Sequence, residues 1–438
     1  MALLKKNQQL TLTDGRQFTV VGKLGEGGQG IVYRIRFDDT GEEKALKWYF
    51  REKLREPYEF YSHLNENIKV GSPSAAFVWP EQLTEWSSDD SFGYTMRIFP
   101  ANYQPFSKFL MAQTYFTGAR ALVNAGLNIV AAFEALHNKG YNYQDLNDGN
   151  FAIDPNTGDV LICDNDNVMG HGKYSGVLGK ARYMAPEVVR GDKSPDRLTD
   201  RYSLAVILFM LLIGDHPLEG RKTNVPALTG KYDRRFFGEE PLFIFDEDDR
   251  SNAPVDGLHR NAISFWNVFP SFVQKAFQIS FSQDSLLKGE RRLLERQWLN
   301  VLVRLKSSIG KCPHCGEEIF LESDRDTSCP ACNKKSKVVG YLDFGARTNN
   351  KVTVPIVNGA RLYEYHMNTN SEDYKTETAV IMEKPGKFGL KNDSGRKWTI
   401  KAPNGKSNVK LPGEVVVLGI GLEIDFDNAG SATVVSNS

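Results

Sequence analysis

The sequence predicts an α+β fold followed by two smaller modules, one built around cysteines and one all-β. Three observations carry this. Residues 10 to 50 alternate apolar and polar positions around Gly15, Gly22 and Gly41, the mark of an antiparallel sheet, whereas Lys108 to His137 repeat apolar residues at helical spacing. After Ser307-Ser308 the composition changes, and Cys312-Pro313-His314-Cys315 is followed by Cys329-Pro330-Ala331-Cys332, a CPxC-x13-CPxC pattern. From Val338 to Ser438 the chain carries period-two stretches such as Val352-Thr353-Val354-Pro355-Ile356-Val357 between glycine and asparagine turns.

Bulk properties narrow the function. A length of 438 residues exceeds a single hydrophobic core, so about two to four domains are expected. Lys+Arg and Asp+Glu both number 54, and the resulting zero net charge argues against nucleic-acid binding. No membrane association is expected either. The longest apolar run, Leu204 to Ile213, is half the ~20 residues of a bilayer helix, and Lys5 and Lys6 lead into no apolar signal core. Of five cysteines, four lie in the CPxC pairs and Cys163 on a core strand, which predicts a reducing, cytoplasmic setting with metal rather than disulfides.

Taken in order, hairpins fall at Thr13-Asp14-Gly15 and Asp38-Asp39-Thr40-Gly41. Between the first two strands lies Leu24-Gly25-Glu26-Gly27-Gly28-Gln29-Gly30-Ile31-Val32, where Gly25, Gly27 and Gly30 would let backbone N–H groups approach phosphates. Strand continues through Ile35 with no helix opening, unlike a dinucleotide-binding turn, and no Gly-Lys-Ser/Thr follows, unlike a Walker A loop. Ala45-Leu46 leads into Lys47, while Lys44 reads as solvated. Pro57 suits the first turn of a helix reaching Val70, with Glu59 and Glu66 on nearly one face. Glu66 is the better placed relative to the next apolar strand, Ala76-Phe77-Val78-Trp79. Gly93 to Pro100 reads as the last strand of the sheet, and His137 as a structural residue. The turn-rich stretch Tyr141 to Asn150 carries Asp145 and Asn150, and Asp164 closes the apolar strand Val160-Leu161-Ile162-Cys163. Oxygen ligands of this kind suit magnesium rather than zinc.

The glycine run, the strand lysine, the D-x-x-x-x-N spacing of Asp145 and Asn150, Asp164, and Arg182-Tyr183-Met184-Ala185-Pro186-Glu187 follow the order of the protein-kinase signature. From about residue 17 to residue 308 the chain resembles a protein kinase. The resemblance implies a bilobal fold, with a small lobe over residues 1–100 and a large lobe over 101–309, that uses ATP and Mg²⁺ to phosphorylate Ser/Thr of a protein substrate. It implies that Gly25, Gly27, Gly30 and Val32 cover the nucleotide, and that the backbone of Arg97 and Ile98 meets adenine. Lys47 would anchor phosphates and pair with Glu66, Asp145 would be the base, Asn150 and Asp164 the metal ligands, and Asp200 a buried support for the catalytic loop. Four departures stand out: Tyr143-Gln144 replace His-Arg, Asn147 replaces a lysine, Lys180 replaces a threonine, and Asp164-Asn165-Asp166 replace Asp-Phe-Gly. Lys180 is expected to supply the positive charge that Asn147 lacks, and the segment after Asp164 to be less prone to flip out.

Residues 310–337 read as a zinc ribbon in which Cys312, Cys315, Cys329 and Cys332 form a closed, structural Zn²⁺ site; a redox pair is the alternative. Residues 338–438 read as an all-β sandwich. Phe388 to Ser394, Pro412-Gly413 and Ile424-Asp425-Phe426 resemble a degenerate forkhead-associated domain, lacking the usual order of phosphothreonine-gripping residues. With Asn147 to Asn150, Asp164 to Asn167 and His216 to Gly220, the whole resembles the bacterial kinases of tellurium-resistance-type gene clusters. That resemblance implies a von Willebrand factor A protein and a metal-dependent protein phosphatase as substrate and antagonist. Two rivals stand beside it: a nucleotide-binding pseudokinase scaffold, favoured by the departures but opposed by intact Lys47, Asp145, Asn150 and Asp164, and a zinc-ribbon adaptor.

Overall fold

The structure, a computed structural model, describes residues 3–54, 56–87, 90–170, 179–227, 229–322, 327–336, 338–347 and 350–437. Two compact units make up the chain. One comprises Met1–Tyr115, Asn128–Pro155 and Asp159–Ile207, the other Phe116–Leu127, Asn156–Gly158 and Leu208–Ser438.

The first unit opens with β1 (Gln9–Thr11), β2 (Gln17–Glu26), β3 (Gly30–Phe37), β4 (Glu43–Tyr49), α1 (Pro57–Val70), β5 (Gln82–Leu83) and β6 (Gly93–Met96). The six strands form one antiparallel sheet in the order β1-β2-β3-β4-β6-β5. On β3, Ile31, Tyr33, Ile35 and Phe37 are buried while Arg34 and Arg36 are exposed, the period of two that alternating sequence dictates. On β4 the burial is continuous from Ala45 to Tyr49, because this strand is central and both its faces are covered. Leu46 and Trp48 therefore pack in one apolar cluster, while Ala45 and Tyr49, which flank Lys47 on its own face, pack in the other. Gly30 has a packing reason, since a Cβ there would lie 2.2 Å from the Trp48 carbonyl oxygen; at Gly25 and Gly27 a Cβ would meet nothing within 4 Å.

Two expected elements differ. Ala76 to Trp79 is not a strand of the sheet: Phe77 makes a single parallel bridge to Ile162, held by Val78 N–H to Ile162 O at 2.7 Å and Ile162 N–H to Ala76 O at 2.8 Å. The helical stretch from Lys108 breaks after β7 (Gln104–Pro105) into α2 (Phe106–Leu110) and α3 (Ala119–Asn138), with Ala112 at φ +53° between them. α3 is long and apolar enough by composition to cross a membrane, yet more than half of it is buried within the protein. Next come β8 (Tyr141–Asn142), β9 (Phe151–Ile153), β10 (Val160–Ile162), β11 (Met169–Gly170), α4 (Pro186–Arg190) and α5 (Arg197–Ile213). The run Leu204 to Ile213 is buried throughout α5, as its composition predicts.

In the second unit, α6 (Gly230–Arg234), α7 (Arg260–Phe265), α8 (Ser271–Ser280), α9 (Gln283–Lys288) and α10 (Glu295–Ser307) are helical. In the loop after His216, Phe243 and Phe245 are buried: both pack with Phe209, and Phe245 stacks on Trp266 at 4.2 Å between centroids. Two short hairpins follow, β12 (Ile309–Lys311) with β13 (Glu318–Phe320) and β14 (Thr327–Ser328) with β15 (Lys335–Ser336). The remainder is all-β apart from α11 (Glu364–Met367). It comprises β16 (Gly340–Arg347), β17 (Asn350–Pro355), β18 (Arg361–Tyr363), β19 (Glu377–Lys384), β20 (Lys387–Asn392), β21 (Trp398–Lys401), β22 (Ser407–Lys410), β23 (Val415–Val417), β24 (Glu423–Asp425) and β25 (Ser431–Ser436). These strands make a six-stranded sheet, β17-β16-β25-β24-β21-β22, and a four-stranded one, β18-β19-β20-β23. Leu342, Ile424 and Val434 of the first and Leu362, Ile381 and Leu390 of the second share one buried cluster, so the two sheets face each other across a common core.

Candidate active site and cysteine cluster

The loop between β8 and β9 is held by a buried network. Asp200, near the start of α5, accepts from the backbone N–H of Tyr143 at 2.7 Å and of Gln144 at 3.3 Å, and its Oδ2 lies 3.1 Å from His137 Nε2. Gln144 sits at φ +67°, with Asp145 N–H bonded to Tyr143 O at 2.9 Å, so the chain makes a strained turn that sets Asp145 off the loop. The phenol of Tyr143, buried, donates to the Cys163 carbonyl. The next turn is a reciprocal cap: Asn147 Oδ1 accepts from Gly149 N–H at 3.0 Å, and Asn150 Oδ1 accepts from Asn147 N–H at 2.8 Å. Cys163 N–H donates to Asn150 O at 2.9 Å, which ties the end of β10, and hence Asp164, to this loop.

Burial pushes the Asp145 carboxyl up to about 6, with the Asp164 charge adding to the rise and the Asn147 amide and Lys180 ammonium opposing it. The Lys180 ammonium reaches Asn147 Oδ1 at 3.3 Å and Asp148 Oδ1 at 3.5 Å, while Gly179 runs so close that a Cβ there would lie 2.9 Å from Asp145 Oδ1. The positive charge from the later segment thus stands beside the residue that replaces the usual lysine.

Lys47 is buried on β4, and its ammonium contacts Asp164 Oδ1 at 3.2 Å and Asp166 Oδ2 at 2.7 Å. Burial works against its charge, but the Asp166 and Asp164 carboxylates outweigh it and hold the ammonium well above the ordinary lysine range. This corrects the expected pairing with Glu66. On α1 the inward positions are Leu64 and Asn67, one helical turn apart, and Glu66, adjacent to Asn67, falls on the exposed side. His63 and Asn67 bond the Val168 carbonyl instead, at 2.8 and 3.1 Å. The residue that sequence reasoning missed is Asp166. Its signal was legible: an acid in place of a flexible glycine inside an apolar neighbourhood must find a partner. Asp164 itself is in the left-handed region at φ +57°, with its side chain 55% exposed.

Of the remaining predicted positions, Gly25, Gly27, Gly30 and Val32 fall on the β2–β3 hairpin, and Val32 pairs in register with Lys47. Arg97 and Ile98 directly follow β6, outside the sheet's pairing; the Arg97 guanidinium bonds the carbonyls of Ala75 and Phe77, and Ile98 is half-buried.

The four paired cysteines converge, with every Sγ within 4.8 Å of the others. Cys312 and Cys332 are 3.8 Å apart and Cys315 and Cys329 3.6 Å, close to the ~3.8 Å edge of a tetrahedron with Zn–S bonds of about 2.3 Å. Each pair rides an equivalent turn. Gly316 N–H bonds Cys312 O at 2.9 Å and Asn333 N–H bonds Cys329 O at 2.8 Å, with Gly316 and Asn333 left-handed at φ +79° and +57°. Burial disfavours the thiolate at Cys312, but N–H groups of His314 and Cys315 outweigh it and bring it down to about 6. The donor set fits a thiolate-bound metal.

Residues 18–236 match the family model described as Protein kinase domain. Among curated proteins the chain is similar to G protein-coupled receptor kinase 2 of Caenorhabditis elegans, 28% identical over 50% of this chain and 31% of the relative. It is 29% identical to human Beta-adrenergic receptor kinase 1 over 50% of this chain and 31% of the relative, and 26% identical to Serine/threonine-protein kinase AtPK2/AtPK19 of Arabidopsis thaliana over 48% and 44%. The chain thus spans less than half the length of each of these relatives. With the family model covering half of its residues, the chain belongs to the protein kinase domain family.

Proposed function

We propose that the chain is an ATP- and Mg²⁺-dependent kinase that transfers the γ-phosphoryl group to Ser or Thr of a protein partner. The single observation that supports this best is the buried Lys47 ammonium in contact with Asp164, whose strand is bonded to the loop bearing Asp145 and Asn150. In this reading Lys47 neutralises the nucleotide phosphates, and the β2–β3 hairpin with Gly25 and Gly27 lies over them. Asp164 and Asn150 hold Mg²⁺, which when bound offsets charge on the transferring group. Asp145 accepts or orients the proton of the attacking hydroxyl, a role that a carboxyl raised to about 6 suits at neutral pH. Lys180 compensates for Asn147 as a cation beside the reacting group.

Lobes over 1–100 and 101–309, a zinc ribbon over 310–337 and a forkhead-associated-like sandwich over 338–438 make a bacterial, cytoplasmic enzyme of the tellurium-resistance-associated group. Its substrate is a von Willebrand factor A protein, and its antagonist a metal-dependent phosphatase. The zinc ribbon and the sandwich serve docking or regulation. The test is radiolabelled phosphate transfer with Mg²⁺ by wild type, Asp145→Asn and Asp164→Ala. Transfer by the wild type alone is the expected result; no transfer by the wild type rejects it in favour of a scaffold, and equal labelling by all three rejects this site as the source of transfer.

A further inference from the structure

Lys47 carries a buried positive charge, which requires a fixed counter-charge. Asp166 meets that need: it is fully buried, its Oδ2 lies 2.7 Å from Lys47 Nζ, and the Tyr49 hydroxyl donates to the same oxygen at 2.6 Å. Lys47 and Tyr49 are two residues apart on β4 and so reach one acceptor from one face. The neighbours of Asp166 are equally fixed. Asn165, fully buried, donates to Val78 O at 2.9 Å and Ile162 O at 2.8 Å, and Val168 O is gripped by His63 and Asn67 of α1. Glu66 is exposed, and its charge is felt at Tyr141.

We propose that Asp166 is the positioning residue for Lys47, taking the part that a glutamate of α1 would otherwise play. The inference rests on Lys47 being the nucleotide anchor. Its consequence is that the anchor's counter-charge and the metal-binding Asp164 are carried on one rigid segment, so nucleotide binding does not wait for α1 to swing into place. Asp166 makes the shorter contact to the lysine, 2.7 Å against 3.2 Å for Asp164, and the half-exposed Asp164 carboxylate, which uses Oδ1 toward the lysine, keeps Oδ2 for the metal.

The test is the dissociation constant of mant-ATP with Mg²⁺ on the full chain, together with kcat and KM for ATP. Asp166→Asn is expected to weaken mant-ATP about tenfold or more, Asp166→Glu to restore it to within about threefold of wild type, and Glu66→Gln to stay within about twofold. A change below about twofold for Asp166→Asn, or a loss for Glu66→Gln equal to it, overturns the proposal. Lys47→Met separates the two levels. If it binds mant-ATP as wild type does, the nucleotide-anchor reading fails; if it weakens binding while Asp166→Asn does not, only the Asp166 assignment fails. Should Asp166→Asn fail to fold, Tyr49→Phe replaces it, because it frees the shared oxygen without removing charge. A rise of about threefold in the KM for ATP then supports the role, and an unchanged KM overturns it.

Discussion

The two centres of this molecule are built in opposite ways. The cysteine cluster draws its four sulfurs from two copies of one local turn, each closed by a left-handed residue directly after the second cysteine. The candidate active site brings Lys47 to Asp164 and Asp166 across more than a hundred residues, and needs the sheet, β10 and α5 to be folded first. A local site is robust and can be read from spacing; a dispersed one depends on every packing decision between its parts.

The largest effect expected on the dispersed centre alone is from Asp145→Asn, which should cut phosphoryl transfer by about 10³-fold or more. The same change should raise stability. Because burial lifts the Asp145 pKa from its ordinary value to about 6, the folded state favours the protonated form, and the charge is a cost above that pH. Removing it should stabilise by about 1–3 kcal/mol at pH 7.5, read as a higher melting temperature. If activity and stability fell together, Asp145 would be a structural residue. For the local centre, Cys329→Ser or chelation should release one zinc per chain, measured colorimetrically, and open the segment 309–338 to protease, while activity on a generic protein substrate changes by about threefold at most. Collapse of activity on zinc removal would erase the contrast between the centres.

Smaller effects sharpen the comparison. Lys180→Met should lower transfer about 10- to 30-fold, and an unaltered rate would end the idea that it compensates for Asn147. The acid limb of kcat/KM should bend near pH 6 and fall about tenfold per unit below it, since Asp145 must be ionised to take a proton. A bend near 4 would mean that the site hydrates the carboxylate.

Legibility followed the same divide. The cysteine turns, the turn-rich loop bearing Asp145 and Asn150 and the buried apolar helix α5 were readable because each is specified within about twenty residues by spacing and period. What misled was rotation and pairing at a distance. Glu59 and Glu66 share nearly one face of α1, but which face turns inward is decided by Leu64 and Asn67 packing against the rest of the unit, and that placed Glu66 outside. Ala76 to Trp79 is as apolar as any strand, yet finds a single bridge partner in Ile162. The aromatic run after His216 lies among charged neighbours, and it is the Phe209, Phe243, Phe245 and Trp266 contacts that place it in the core. Asp166 read as the loss of a glycine because its partner lies 119 residues away.

The buried amide of Asn165 bears on pharmacology. Small-molecule inhibitors that work by lodging where an apolar side chain has swung out behind the metal-binding aspartate would here have to break two amide hydrogen bonds and uncover a charged pair. Compounds of that kind should discriminate strongly against this protein, whereas those that occupy only the nucleotide cleft should not.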